Sequence, residues 1–179
     1  MRSADRTADV ARLGVLTAAA LALGYAESLF VIAPSVPGIR LGLGNTAILI
    51  ALYARGGGAA ALIMLLKVTL SSLLFGNASG FFYSLAGGAL SVAGMWALSR
   101  VRGMGLTGIS VGGATLHMTA QLLVSRILLM SWACLPAAPY LILCAVVTGF
   151  LTGKIAVLAL RALSPGNERL KRKRRNPDD

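Results

Sequence analysis

Between Leu13 and Leu163 this chain carries a single carboxylate, Glu27. The other five acids stand outside that stretch: Asp5 and Asp9 before it, Glu168, Asp178 and Asp179 after it. Soluble folds do not leave so long a middle almost free of acids. Charged residues make up 13% of the chain and hydrophobic ones 56%, so the charged share is about half that of an ordinary soluble domain. The expectation is an all-α integral membrane protein. Helices are expected rather than a barrel, because the apolar runs approach the ~20 residues a spanning helix needs and do not alternate as barrel strands do.

Six membrane spans are expected: Leu13–Ala33, Thr46–Ala54, Ala59–Phe75, Phe81–Leu98, Leu106–Met130 and Tyr140–Leu163. The second is short. Residues 1–12 form a polar N-terminus, 13–163 one membrane domain, and 164–179 a basic tail. With the N-terminus in the cytoplasm, the inner side receives Arg2, Arg6, Arg12, Arg55, Arg100, Arg102, Lys154, Arg161 and the tail, and the outer side only Arg40 and Arg126. Both termini are therefore expected in the cytoplasm, with the protein in the inner (plasma) membrane of a bacterial cell. The net charge of +11 does not imply a nucleic-acid partner. Arg169 and Lys171 to Arg175 follow the last apolar run directly, as a topology signal or an anchor to anionic membrane lipid does.

One irregular stretch interrupts the apolar body, from Pro34 to Asn45. Pro34 and Pro37 fix φ and remove two amide donors, which bars a helix from running through them. A polar, glycine-bearing loop at this depth is tolerated only where protein covers it or it lines a cavity. Arg40 and Asn45 bring a charge and an amide to it. Ionisable groups within spans usually mark a ligand or ion path, and here they are Glu27, Lys67, His117 and Arg126. His117 and Gln121, four apart, share a helix face. Asn77 sits in the Gly76–Gly80 turn on the expected outer side. The candidate ligand-binding set is thus Glu27, Arg40, Asn45, Lys67, Asn77, His117, Gln121 and Arg126, opening outward. Each also has a plainer reading: His117 as a core histidine bonded to a neighbouring helix, Arg126 snorkelling to the interface, and Lys67 ion-paired with Glu27. The three certain cations against one carboxylate point to an anionic or electron-rich small ligand.

Gly14, Ala18, Ala22 and Ala26 recur every fourth residue along the first span. Such a stripe lets another helix approach closely, either within the bundle or from a separate subunit. Gly87-Gly88 and Gly112-Gly113 follow no strand and lack the Gly-Lys-Ser/Thr of a phosphate loop, so close helix packing is expected there. Catalysis finds no support. One carboxylate cannot supply an acid/base pair, Cys134 and Cys144 have no metal or redox spacing, and no paired aspartates could hold magnesium against a diphosphate. No cofactor is expected, and no nucleotide site could drive uphill transport.

Four segments taken in order resemble one family: Pro37-Gly-Ile-Arg-Leu-Gly-Leu-Gly-Asn45, Phe75-Gly-Asn77, Phe82-Tyr-Ser-Leu-Ala-Gly-Gly88 and Gly112-Gly-Ala-Thr-Leu-His-Met-Thr-Ala-Gln121. They resemble the Gx transporter family, whose members are often labelled heptaprenyl diphosphate synthase component I. That family is similar to the S components of energy-coupling factor transporters. The resemblance implies a six-helix bundle that binds a small solute from outside and docks, through the Ala18–Ala22–Ala26 stripe, on a transmembrane coupling subunit with paired ATPases. It implies two alternatives as well: a non-catalytic membrane subunit beside a soluble prenyl diphosphate synthase, or an anchor in quinone- or flavin-based electron transfer. Where the family pattern has a His-Asn pair, this chain has His117-Met118.

Overall fold

A computed structural model of the chain describes residues 3–29, 42–75, 78–130 and 135–163. The segment 30–41, with Arg40, lies outside the described residues, as do Asn77, Cys134 and the basic tail. All regular structure among the described residues is helical: α1 (Ser3–Ser28), α2 (Asn45–Arg55), α3 (Gly57–Phe75), α4 (Ala78–Leu98), α5 (Leu106–Leu129) and α6 (Ala138–Leu163), with a 3-10 turn at Leu135–Ala137 leading into α6.

Four of these helices have the length and apolar composition to cross a membrane: Thr7–Ser28, Gly57–Phe75, Ala78–Leu98 and Ala138–Ala162. The other two expected spans differ for separate reasons. Helix α5 has the length, at 24 residues, but its serines, threonines and glycines, with His117, Gln121 and Arg126, dilute its hydropathy. Helix α2 has 11 residues, about 16 Å at 1.5 Å per residue, roughly half of a 30 Å hydrocarbon layer. It is also the most enclosed helix. Every residue from Asn45 to Leu52 is buried, and α2 packs on α1, α3, α4, α5 and α6. Apolar residues all round a helix belong in an interior of this kind.

Helix α1 begins at Ser3, so the polar N-terminal segment from Ser3 onward continues the first helix. Its Asp9 pairs with Arg55 at the end of α2. The connection from α2 to α3 is one residue, Gly56, at φ +86°. Its N–H closes on Leu52 O at 2.9 Å, and Gly57 already starts α3.

Close packing is the use made of the glycine pairs. A Cβ on Gly88 would stand 2.8 Å from Met64 Cγ, and one on Gly113 would stand 2.4 Å from Met95 Cγ. On α6 the spacing Gly149-xxx-Gly153 works in the same way. Cβ atoms there would meet Val111 Cα and Thr107 Cα, each at 2.8 Å, so α5 and α6 touch backbone to backbone.

Candidate functional site

The site is built on the start of α2. Asn45 bonds with Ser91 of α4 and His117 of α5, residues near the midpoints of those helices. The first turn of α2 therefore lies at mid-height in the bundle. The preceding turn is closed by Asn45 N–H on Gly42 O at 2.8 Å and Thr46 N–H on Leu43 O at 3.1 Å. Gly42 sits at φ +86°, and a Cβ on it would stand 2.9 Å from Asn45 Nδ2. Glycine is required twice over, for the left-handed backbone and for the space.

A helix start inside an apolar body needs partners for its amides. The residue before α2, Gly44, has no side chain to cap it. The Asn45 and Thr46 amides turn back on Gly42 O and Leu43 O, and Glu27 of α1 holds that turn from outside: its carboxylate accepts the Gly42 N–H, and also the Leu43 N–H at 3.2 Å. Glu27 is only 2% exposed. Negative charge at a helix N-terminus is favourable, more so where little water screens it. Lys67 of α3, 4% exposed, reaches the same turn. A Cβ on Gly44 would lie 2.9 Å from Lys67 Nζ and 2.8 Å from Ala20 O, and one on Gly24 would lie 3.3 Å from Lys67 Cε. The only carboxylate of the apolar body and its mid-span lysine thus converge on residues 42–44.

Beyond the turn the polar groups are neutral in kind. Asn45 Nδ2 lies 3.3 Å from Ser91 Oγ and 3.3 Å from His117 Nδ1. Gln121 Nε2 lies 3.0 Å from His117 Nε2. His117 and Gln121 are 2% and 0% exposed. The imidazole lies against Gly87, where a Cβ would come within 2.7 Å of the ring. Beside Asn45 is a cavity with room for about one water molecule, lined among others by Gly42, Ser110, Thr148 and Thr152. Asn45 Oδ1 is buried without a hydrogen-bond partner.

Of the eight candidates read from the sequence, five come together: Glu27, Asn45, Lys67, His117 and Gln121. Arg126, in the last turn of α5, is half-buried. Arg40 and Asn77 lie outside the described residues. Gly14, Ala18, Ala22 and Ala26 all face out of the bundle; Gly14 has open space beyond it, and the three alanines are exposed. Met118 is fully buried and clusters with Tyr83, Ala114, Leu141 and Ala145.

The heptaprenyl diphosphate synthase component I model matches residues 16–159. The chain belongs to that family. The match runs from within α1 to near the end of α6 and includes every helix that contributes to the site. No curated protein and no solved structure matches the chain.

Ser91, Ser110, Thr148 and Thr152 were not among the residues singled out from the sequence. For Ser91 a signal exists: it follows Gly87 by four and so shares the helix face that receives the His117 ring. The α6 threonines alternate with the Gly149-xxx-Gly153 contact, which marks that face of α6 as an inward one. Among the described residues no group of acidic, histidine or cysteine side chains could hold a metal ion.

Proposed function

We propose that this protein is the ligand-binding membrane subunit of a solute uptake system, built like an S component, with the chain crossing the bilayer six times and both termini in the cytoplasm. The observation that carries the reading is the convergence of Glu27, Asn45, Lys67, His117 and Gln121, drawn from four helices, on one turn at mid-height in an apolar bundle. Buried polar groups are costly in such a setting and are retained where they serve a ligand. A half-length helix whose N-terminus lies at mid-depth is also how membrane transporters build solute sites.

In this reading a small ligand enters from the outer side, the segment before Asn45 covers it, and release follows docking. Arg40, Lys67 and Arg126 would take an anionic part of the ligand, Asn45, His117 and Gln121 its deep end, and Asn77 would lie at the outer rim. The exposed stripe of α1 supports docking on a coupling subunit with ATPases, since it is not used inside the bundle. Affinity purification from native membranes tests this. The wild type should bring down a transmembrane subunit and ATPases, and Ala22→Leu should lose them. A complex that survives that bulky change removes the stripe from the account. Lys67→Met or Arg126→Met should weaken binding of an anionic ligand at least tenfold; unchanged binding would remove the anionic part.

The family description favours a second reading, a non-catalytic membrane component beside a soluble prenyl diphosphate synthase. It predicts capture of such a synthase by the tagged protein and a change in prenyl chain length when the two are combined.

A further inference from the structure

The turn between α4 and α5 has a composition that water alone does not favour. Arg100 and Arg102 are interleaved with Val101 and Met104, whose apolar side chains are 51% and 38% exposed. The turn is tight. Arg100 N–H closes on Ala97 O and Val101 N–H on Leu98 O, each at 3.1 Å, Met104 N–H reaches Val101 O at 3.3 Å, and Gly103 takes a φ of +85°. Neither arginine meets a carboxylate among the described residues, and Asp9, at the same end of the bundle, is taken by Arg55.

Arg100 is held in place by Trp96. Its guanidinium carbon lies 3.7 Å from the centre of the Trp96 ring. The edge of the indole rests on the start of α3, where a Cβ on Gly57 would stand 2.9 Å from Trp96 Cδ1 and 3.2 Å from Nε1. Stacking uses the face of the guanidinium. Its N–H donors lie in the plane and stay available at the edge, in the fork that grips two phosphate oxygens together. On α4 the exposed residues Ala89, Ala93, Trp96 and Arg100 recur at helical spacing. The two alanines leave a smooth strip of helix running from the arginine into the apolar belt.

We propose that Arg100, stacked on Trp96 and aided by the charge of Arg102, binds the phosphate headgroup of an anionic phospholipid. An acyl chain lies along the Ala89–Ala93 strip, and Val101 and Met104 dip into the acyl layer beside it. A dissolved phosphate needs no apolar neighbours. Exposed tryptophan, valine and methionine next to arginines, at the end of apolar helices, suit the boundary between lipid and water. The two uncompensated positive charges select an anionic lipid over a zwitterionic one. The site requires the bundle to lie in a bilayer; it is independent of the solute-binding reading.

Trp132 is the only other tryptophan of the chain, so Trp132→Phe leaves Trp96 as the single indole. That full-length variant is reconstituted in phosphatidylcholine bilayers, and Trp96 emission is followed as brominated phosphatidylglycerol or brominated phosphatidylcholine replaces the plain lipid. Quenching should report an affinity for phosphatidylglycerol at least threefold that for phosphatidylcholine. Arg100→Gln should abolish the preference. Arg161→Gln removes the same charge from the end of α6 and should leave the preference unchanged. Equal quenching by the two lipids, or a preference that survives Arg100→Gln, overturns the site. So does a preference lowered as much by Arg161→Gln, since overall charge would then be its cause. Glycerol phosphate dissolved in the buffer should not erase the preference; if it does, the arginines bind phosphate from solution and the lipid assignment falls. No outcome bears on transport, so this site and the docking reading stand or fall separately.

Discussion

At the residue scale, the polar groups are held by what is missing beside them. The His117 ring occupies the space where a Cβ of residue 87 would be, with three ring atoms within 2.9 Å of that position. Gly87→Ala should displace the ring, break its bonds to Asn45 and Gln121, and lower stability by about 1–3 kcal/mol, the usual cost of overpacking a rigid interior. Thermal unfolding in detergent measures the loss, and the His117 nitrogen spectrum should change with it. Gly58→Ala is the matching control. Gly58 lies in α3 with nothing within 4 Å of a Cβ. There the substitution should stabilise slightly, by up to about 1 kcal/mol, because alanine is the better helix former.

At the element scale, α2 is a helix whose start is finished by another helix. Glu27 on α1 accepts the Gly42 and Leu43 N–H groups of the turn that leads into it. Glu27→Gln keeps the size but offers one oxygen, and it turns an NH₂ toward an N–H. It should lower stability by about 1–3 kcal/mol, the usual penalty for an unsatisfied buried donor. Hydrogen exchange at the Gly42 and Leu43 amides should accelerate while the middle of α4 stays protected; unchanged exchange at residues 42–43 would remove the turn-holding role. The α5–α6 pair depends on backbone contact. Gly153→Leu would drive a side chain into Thr107, whose Cα is 2.8 Å from a Cβ at that position. Backbone cannot move aside as a flexible side chain can. The variant should melt well below the wild type and lose the Ser110–Thr152 bond.

At the scale of the whole molecule, large apolar side chains face outward along α6, including Leu143 at 62% and Leu158 at 65% exposed. A surface of that kind belongs against lipid acyl chains or a partner helix. Arg100 and Arg102 stand in the exposed turn between α4 and α5, Arg100 stacked on Trp96 at 3.7 Å. If the six-crossing topology holds, cysteines placed at residue 102 and at the two termini should react only with membrane-permeant thiol reagents in intact cells, and one at residue 77 should also react with impermeant ones. Labelling of residue 102 from outside would reverse the proposed orientation.

The amino-acid order by itself was enough for the class of protein, most helices, and five of the residues that meet. Those properties depend on composition and on what a bilayer tolerates: a stretch with one carboxylate must be apolar helices, and each ionisable group left in it must have a reason. It could not show that α2 is a half-length helix starting at mid-height, because the short apolar run from Ala47 to Ala54 reads alike as a short span or a buried core helix. Nor could it show the job of Glu27. The carboxylate and the amides it holds are 15 and 16 residues apart in the chain, and only the packing of α1 on α2 and α3 joins them. The same holds for Ser91, Ser110 and the α6 threonines. Small hydroxyl residues are common in packed membrane helices, and only their positions in space distinguish the few that line a cavity from the rest.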